Sequence, residues 1–177
     1  MDNPFSTKFW ALGVIPFQFS EPDESIDRLL DAVRQFPICQ IVGPHGSGKS
    51  TLLLELRKRC ETSGEQVKYL FFNDQKRHIP NNMTFHEKQM LFVDGFEQLS
   101  LFRQFWLRFR AQRLVLTTHY PVFFVPVLYR TKPQFTIFAQ IVRQMVPNPP
   151  AEAVLKTVYE RSGGNFRNAF LELYDLF

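Results

Sequence analysis

The strongest constraint in this 177-residue chain lies in residues 38–62. Ile38-Cys39-Gln40-Ile41-Val42 is a short apolar run that reads as a buried strand. Gly43-Pro44-His45-Gly46-Ser47-Gly48-Lys49-Ser50 is a glycine-punctuated loop, and Lys49 to Cys60 carries Leu52, Leu53, Leu54 and Leu56 as the apolar side of a helix. The octapeptide matches G-x-x-x-x-G-K-[ST] in full, in the strand–loop–helix context that gives the pattern meaning. Backbone N–H groups can surround an anion with charge on several neighbouring oxygens only where the chain curls without obstructing Cβ atoms. Gly43, Gly46 and Gly48 permit that curl, and a helix starting near Lys49 aims its unpaired N–H groups and positive dipole end at the same anion.

The chemistry then assigns roles. Lys49 is expected to reach the β- and γ-phosphates of a nucleoside triphosphate, Ser50 to ligate Mg²⁺ through its hydroxyl, and Thr51 to meet the α-phosphate. Pro44, His45 and Ser47 complete the loop and belong with the binding residues. Met90-Leu91-Phe92-Val93-Asp94 is an apolar strand ending in a carboxylate about fifty residues on, so Asp94 is expected to hold Mg²⁺ through a water. Hydrolysis also needs a group to orient or deprotonate water. The residue after Asp94 is Gly95, and the nearest carboxylate is Glu97, which either fills that role or begins the next helix, where an acid suits the dipole. Thr118 and His119 end a further apolar run, Leu114 to Thr117, and are candidates to touch the γ-phosphate or the water.

The wider pattern alternates. Glu21 to Phe36 has helical spacing in Ile26, Leu29, Leu30 and Val33, and Pro37 stops it. Strands are expected at Val67 to Phe72, Met90 to Val93 and Leu114 to Thr117, with a helix over Glu97 to Gln112 and a short strand near Gln134 to Ile137. Asn73 to Lys88, with Pro80-Asn81-Asn82, reads as a loop. Phe138 to Met145, Ala151 to Arg161 and Asn165 to Phe177 read as three helices. Such alternation predicts an α/β fold with a mostly parallel sheet covered on both faces. The division expected is a core over residues 1–137 and a helical unit over 138–177.

Taken together these residues resemble an AAA+ ATPase. Gly43 to Ser50 is similar to its Walker A motif, Met90 to Asp94 to its Walker B motif, and Thr117-Thr118-His119 to sensor 1. Ser162-Gly163-Gly164-Asn165-Phe166-Arg167 before a helix resembles the sensor 2 region of the lid, where an arginine reaches the γ-phosphate. Asn3-Pro4-Phe5 and Val14-Ile15-Pro16-Phe17 resemble segments that enclose adenine. The resemblance implies a P-loop NTPase three-layer sandwich with an extra strand between the P-loop and Walker B strands, and a small C-terminal α-helical lid. It implies ATP, in preference to GTP, with Mg²⁺, and an ATPase or ATP-driven switch. Arg167 becomes a catalytic candidate beside Lys49, Asp94, Glu97, Thr118 and His119. Departures are Gly95 in place of the usual Glu and the short interval between Phe72 and Met90. Arg113 and Arg130 are the candidates for a finger acting across an oligomer. Two alternatives stay open: a nucleotide-dependent interaction module with little hydrolysis, and a small-molecule kinase using Asn73-Asp74 and Arg77.

Composition narrows the setting. Cys39 and Cys60 are the two cysteines and do not form a disulfide framework, so a reducing compartment, the cytoplasm, is the expectation. The start lacks a basic end followed by an apolar run, and the most apolar window, Tyr120 to Tyr129, is far too short to cross a bilayer. Net charge is +4, but residues 98–151 contain no Asp or Glu while arginines recur there. That segment is a candidate surface for nucleic acid or a protein partner. Phe is abundant at 20 residues, and sequence does not sort buried rings from exposed ones.

Overall fold

The computed structural model describes residues 3–21, 23–80 and 83–177; Asn81 and Asn82 of the expected loop lie outside the described residues. Five strands, β1 (Ile38–Val42), β2 (Val67–Phe71), β3 (Met90–Asp94), β4 (Arg113–Thr118) and β5 (Val127–Arg130), form one all-parallel sheet in the order β2-β3-β4-β1-β5. β4 therefore lies between β1 and β3. Seven α-helices accompany the sheet among the described residues: α1 (Thr7–Trp10), α2 (Ile26–Gln35), α3 (Lys49–Thr62), α4 (Leu101–Arg110), α5 (Phe135–Met145), α6 (Glu152–Arg161) and α7 (Phe166–Leu176). None is long and apolar enough to cross a membrane.

A parallel sheet needs cover on both faces, because its crossovers leave apolar side chains on each. Leu29, Leu30 and Val33 of α2 and Leu52, Leu53 and Leu56 of α3 pack with Cys39, Ile41, Phe92 and Val115 on one face. On the other, Leu107 of α4 packs with Leu91, Val93, Leu114 and Leu116. Burying each such leucine contributes about 1.5–3 kcal/mol before conformational entropy is counted. Within α2, Ser25 caps the start through Oγ, accepting from the Arg28 N–H at 3.3 Å. Gln40 is a fully buried amide in β1. Its Nε2 donates to the carbonyls of Val122 and Val125, at 3.0 and 2.6 Å, and its Oε1 accepts from the Val122 N–H at 2.8 Å. The β4–β5 loop is thereby tied to the strand that launches the glycine loop.

Three boundary expectations change. The edge strand is Val127–Arg130, directly after Pro126, and the stretch near Gln134 to Ile137 begins helix α5 instead. Pro126 lacks the N–H that a strand interior would need, so pairing to β1 starts just beyond it. The expected helix from Glu97 to Gln112 is split: Phe96–Gln98 forms one 3₁₀ turn, Leu99 and Ser100 are extended, and α4 follows. A division at residue 138 also falls inside α5. Phe5 is buried among residues of α5, α6 and α7, Trp10 stacks on Phe170 at 5.5 Å, and Asn3 Nδ2 donates to the Tyr174 carbonyl. Residues 3–10 therefore pack with the helical tail, while Phe17 and Phe19 meet Tyr129 of β5 on the sheet side.

Candidate functional site

The glycine loop opens at the carboxyl ends of the strands, the usual crevice for ligands in open α/β sheets. A cavity of about 870 Å³ lies there, lined by the loop from His45 to Thr51, by Asp94, Glu97, Thr117 and His119, and by Arg167. The amino-terminal segment adds Trp10, Ile15 and Phe17 to its wall. Residues distant in sequence thus converge on one space.

Gly46 has φ +69°, in the left-handed region, and a Cβ there would lie 1.9 Å from Asn165 Oδ1. The Gly46 carbonyl also accepts from the Phe166 N–H at 3.3 Å. Asn165 caps α7, its Oδ1 accepting from the N–H groups of Arg167 and Asn168. The absence of a side chain at Gly46 lets the start of α7 sit directly on the loop, and this contact sets Arg167 at the cavity wall. Gly43 and Pro44, expected among the binding residues, border a neighbouring 520 Å³ pocket instead and turn their carbonyls to Lys49 Nζ, at 2.7 Å each. Lys49 is buried, which lowers its pKa, while Glu97 and Asp94 act in the opposite direction. Ser47 Oγ meets Thr131 Oγ1 at 2.6 Å, a strut from β5 side to loop that no local pattern announces.

Asp94 is buried at the end of β3 and organises the opposite wall. Its Oδ1 accepts from Ser50 Oγ at 3.0 Å and from Thr117 Oγ1 at 2.6 Å; its Oδ2 accepts from Tyr69 OH at 3.3 Å. Thr117 Oγ1 in turn accepts from the Gly95 N–H at 2.9 Å. Thr118, a candidate from sequence, faces away: its Oγ1 donates to Gln40 Oε1 at 3.3 Å. Successive strand residues point to opposite faces, so when Thr117 meets Asp94, Thr118 cannot. Thr117 was legible as part of the same Thr-Thr-His run; Tyr69 carried no local signal.

Gly95 explains why the residue after Asp94 is not an acid. It sits at φ +74°, and a Cβ there would lie 2.3 Å from the Phe72 carbonyl oxygen. The Phe72 N–H donates to the Asp94 carbonyl at 2.9 Å, so this backbone cannot withdraw without loosening β2 from β3. Gly95→Ala is expected to destabilise the fold by about 2–4 kcal/mol, from left-handed strain plus overpacking, as read by urea unfolding. Beyond the sharp turn, Glu97 brings a carboxylate to the cavity wall. Its Oε1 lies 2.8 Å from His119 Nδ1, and its Oε2 is buried with no hydrogen-bond partner among the described residues. Burial raises the Glu97 pKa. Burial, then the charges of Lys49 and His45, push His119 down to about 4. With its pKa at about 4, His119 is a neutral imidazole near neutrality, and its Nδ1 faces Glu97 Oε1. His45 lies against it, ring centroids 3.7 Å apart.

Asn73 and Asp74, candidates for holding an acceptor, line the cavity, and Asp74 pairs with Arg77, the candidate phosphate clamp, at 2.5 Å. No protein-family model matches the chain, and a comparison with curated proteins finds no match.

Proposed function

We propose that this chain binds ATP with Mg²⁺ at the glycine loop and acts as an ATPase or ATP-driven switch of the AAA+ type, with α5 to α7 as its lid. The observation that carries the reading is the Ser50–Asp94 contact at 3.0 Å beneath a loop whose cavity is also walled by Lys49, Glu97 and Arg167. Two oxygen donors suit a hard cation that keeps waters and brings phosphate oxygens with it; among the described residues no cluster of three His, Cys, Asp or Glu offers a self-sufficient cage. Mg²⁺ bound with the nucleotide supplies charge neutralisation of the phosphate oxygens.

The chain's own residues account for the rest. Lys49 exchanges two carbonyl partners for phosphate oxygens, a gain because charge-assisted bonds between ions are stronger. Thr117 and Tyr69 hold the Asp94 carboxylate in orientation. Arg167 has no carboxylate partner among the described ion pairs and stands in the first turn of α7, where the dipole disfavours a cation; a bound triphosphate supplies the missing anion. Glu97, with one oxygen unpartnered, is the base for the attacking water. The preference for ATP over GTP rests on the resemblance of the amino-terminal segments, three of whose residues, Ile15, Pro16 and Phe17, line the cavity.

One observation favours a second reading, an ATP-dependent interaction module with little turnover: His119 already engages the other oxygen of Glu97. Calorimetric titration of ATP with and without Mg²⁺, beside a phosphate-release assay, separates the readings. Asp94→Asn is expected to weaken Mg²⁺-dependent binding by roughly tenfold or more and to leave Mg²⁺-free binding nearly unchanged. Equal losses in both conditions would make Asp94 a purely structural hub, and no ATP binding at all would remove the proposal.

A further inference from the structure

Helix α4 covers the sheet with one side and leaves the other unusually apolar. Phe102, Phe105 and Phe109 are 77%, 68% and 80% exposed, at positions i, i+3 and i+7 along one stripe. Beside them the β4–β5 loop presents Phe123 and Phe124, 76% and 87% exposed, their ring centroids 4.1 Å apart. Arg108 joins the two elements, its Nη2 donating to the Phe123 carbonyl at 3.4 Å. Phe124 is the one described non-glycine residue at positive φ, +61°, a strained backbone for an aromatic residue. Most large exposed apolar residues are explicable singly, whereas a contiguous group of this size marks a binding surface.

Three observations choose the occupant. First, the segment 98–151 contains no Asp or Glu, so the surface suits an anion. Second, every cation between residues 98 and 131 is Arg, and none is Lys. The planar guanidinium clamps phosphate with paired donors and stacks on flat rings, neither of which an ammonium does. Third, the exposed stripe is built from flat rings, and the helical rise separates Phe102, Phe105 and Phe109 by about 4.5 and 6 Å along the axis. Those steps suit successive bases of an unpaired strand. A duplex hides its base faces from such rings. Of the five arginines, Arg113 is paired with Glu65 at 3.3 Å, while Arg103 donates to the Arg77 carbonyl, Arg77 itself being paired with Asp74.

We infer that α4 and the β4–β5 loop form a stacking platform for single-stranded nucleic acid. The inference does not depend on the nucleotide reading, since neither the α4 rings nor Phe123 and Phe124 line the cavity.

Fluorescence anisotropy of labelled oligothymidylate and oligouridylate of about 20 nucleotides tests it, in nucleotide-free buffer and across a salt series. Wild type should bind both, and Phe105→Ala or Phe109→Ala should weaken binding at least about tenfold. Phe105→Leu should lose most of that affinity and Phe105→Trp should keep it, because only the ring stacks. Arg110→Gln should reduce the slope of log K against log salt by about 0.7 if one phosphate contact is lost. The rings are exposed, so circular dichroism and melting temperature should not move; a Phe variant that melts early is replaced by Phe123→Ala, off the helix. Retained affinity in Phe105→Leu, equal binding of a hairpin duplex, or binding to phosphatidylglycerol vesicles in place of oligonucleotides would each overturn the platform. So would absence of oligonucleotide binding alongside self-association that Phe105→Ala abolishes in sedimentation.

Discussion

Glu97→Gln is expected to slow ATP hydrolysis by about 10²–10⁴-fold, the usual contribution of a positioned general base, while ATP affinity stays within about threefold. Glutamine is close to isosteric, and its carbonyl oxygen can still accept the His119 Nδ1–H, so the 2.8 Å contact survives and the site keeps its shape. What disappears is a proton acceptor at Oε2, the buried oxygen with no partner. The pH profile gives a second readout. Burial raises Glu97 above the ordinary 4.5, so the base becomes protonated, and the rate falls, at a higher pH than an exposed glutamate would give as acid is added. His119 stays neutral through most of that range, because its pKa is near 4, and does not add an opposing limb near neutrality. Phosphate release and calorimetry on both proteins decide the matter. Equal turnover in Glu97→Gln would leave Glu97 as a holder of His119. A wild type that binds ATP and never releases phosphate would select the interaction module.

Lys49→Ala is expected to weaken ATP binding by about 10- to 100-fold, the loss of one or two charge-assisted bonds, with melting temperature little changed. The fold should tolerate the change. Alanine is the best helix former for the first position of α3, and Lys49 contributes no apolar packing to the cluster around Leu52, Leu53 and Leu56. Removing a buried cation also relieves the desolvation that lowers its pKa, which offsets the two lost bonds to the Gly43 and Pro44 carbonyls. Calorimetric affinity unchanged in a folded variant would sink the phosphate assignment. Unfolding would show instead that Lys49 serves chiefly to tie the loop to itself.

The two predictions rest on information of different origin. Lys49 was legible because its determinants are contiguous: an apolar strand, glycines at fixed spacing and a helix start all lie within residues 38–62, and backbone conformation there is largely a local matter. The alternation of strands and helices, hence the parallel sheet, was legible for the same reason, since period and breakers are read in short windows. Asp94 was visible as a carboxylate ending an apolar strand. Tyr69 and Thr117 became its partners only through strand pairing, with β2 and β4 flanking β3 in the sheet. The role of Glu97 was open in sequence because it hinges on Gly95, whose left-handed turn is required by a carbonyl twenty-three positions earlier. Choosing His119 and Thr117 over Thr118 needed the strand's facing, which depends on register with its neighbours and not on composition. The phenylalanines divide most sharply of all. Phe92 and Phe96 are fully buried, Phe105 and Phe124 are exposed, and all have the same hydrophobicity in the sequence. Tertiary packing alone decides which rings face the core, because burial is set by what the rest of the chain brings alongside.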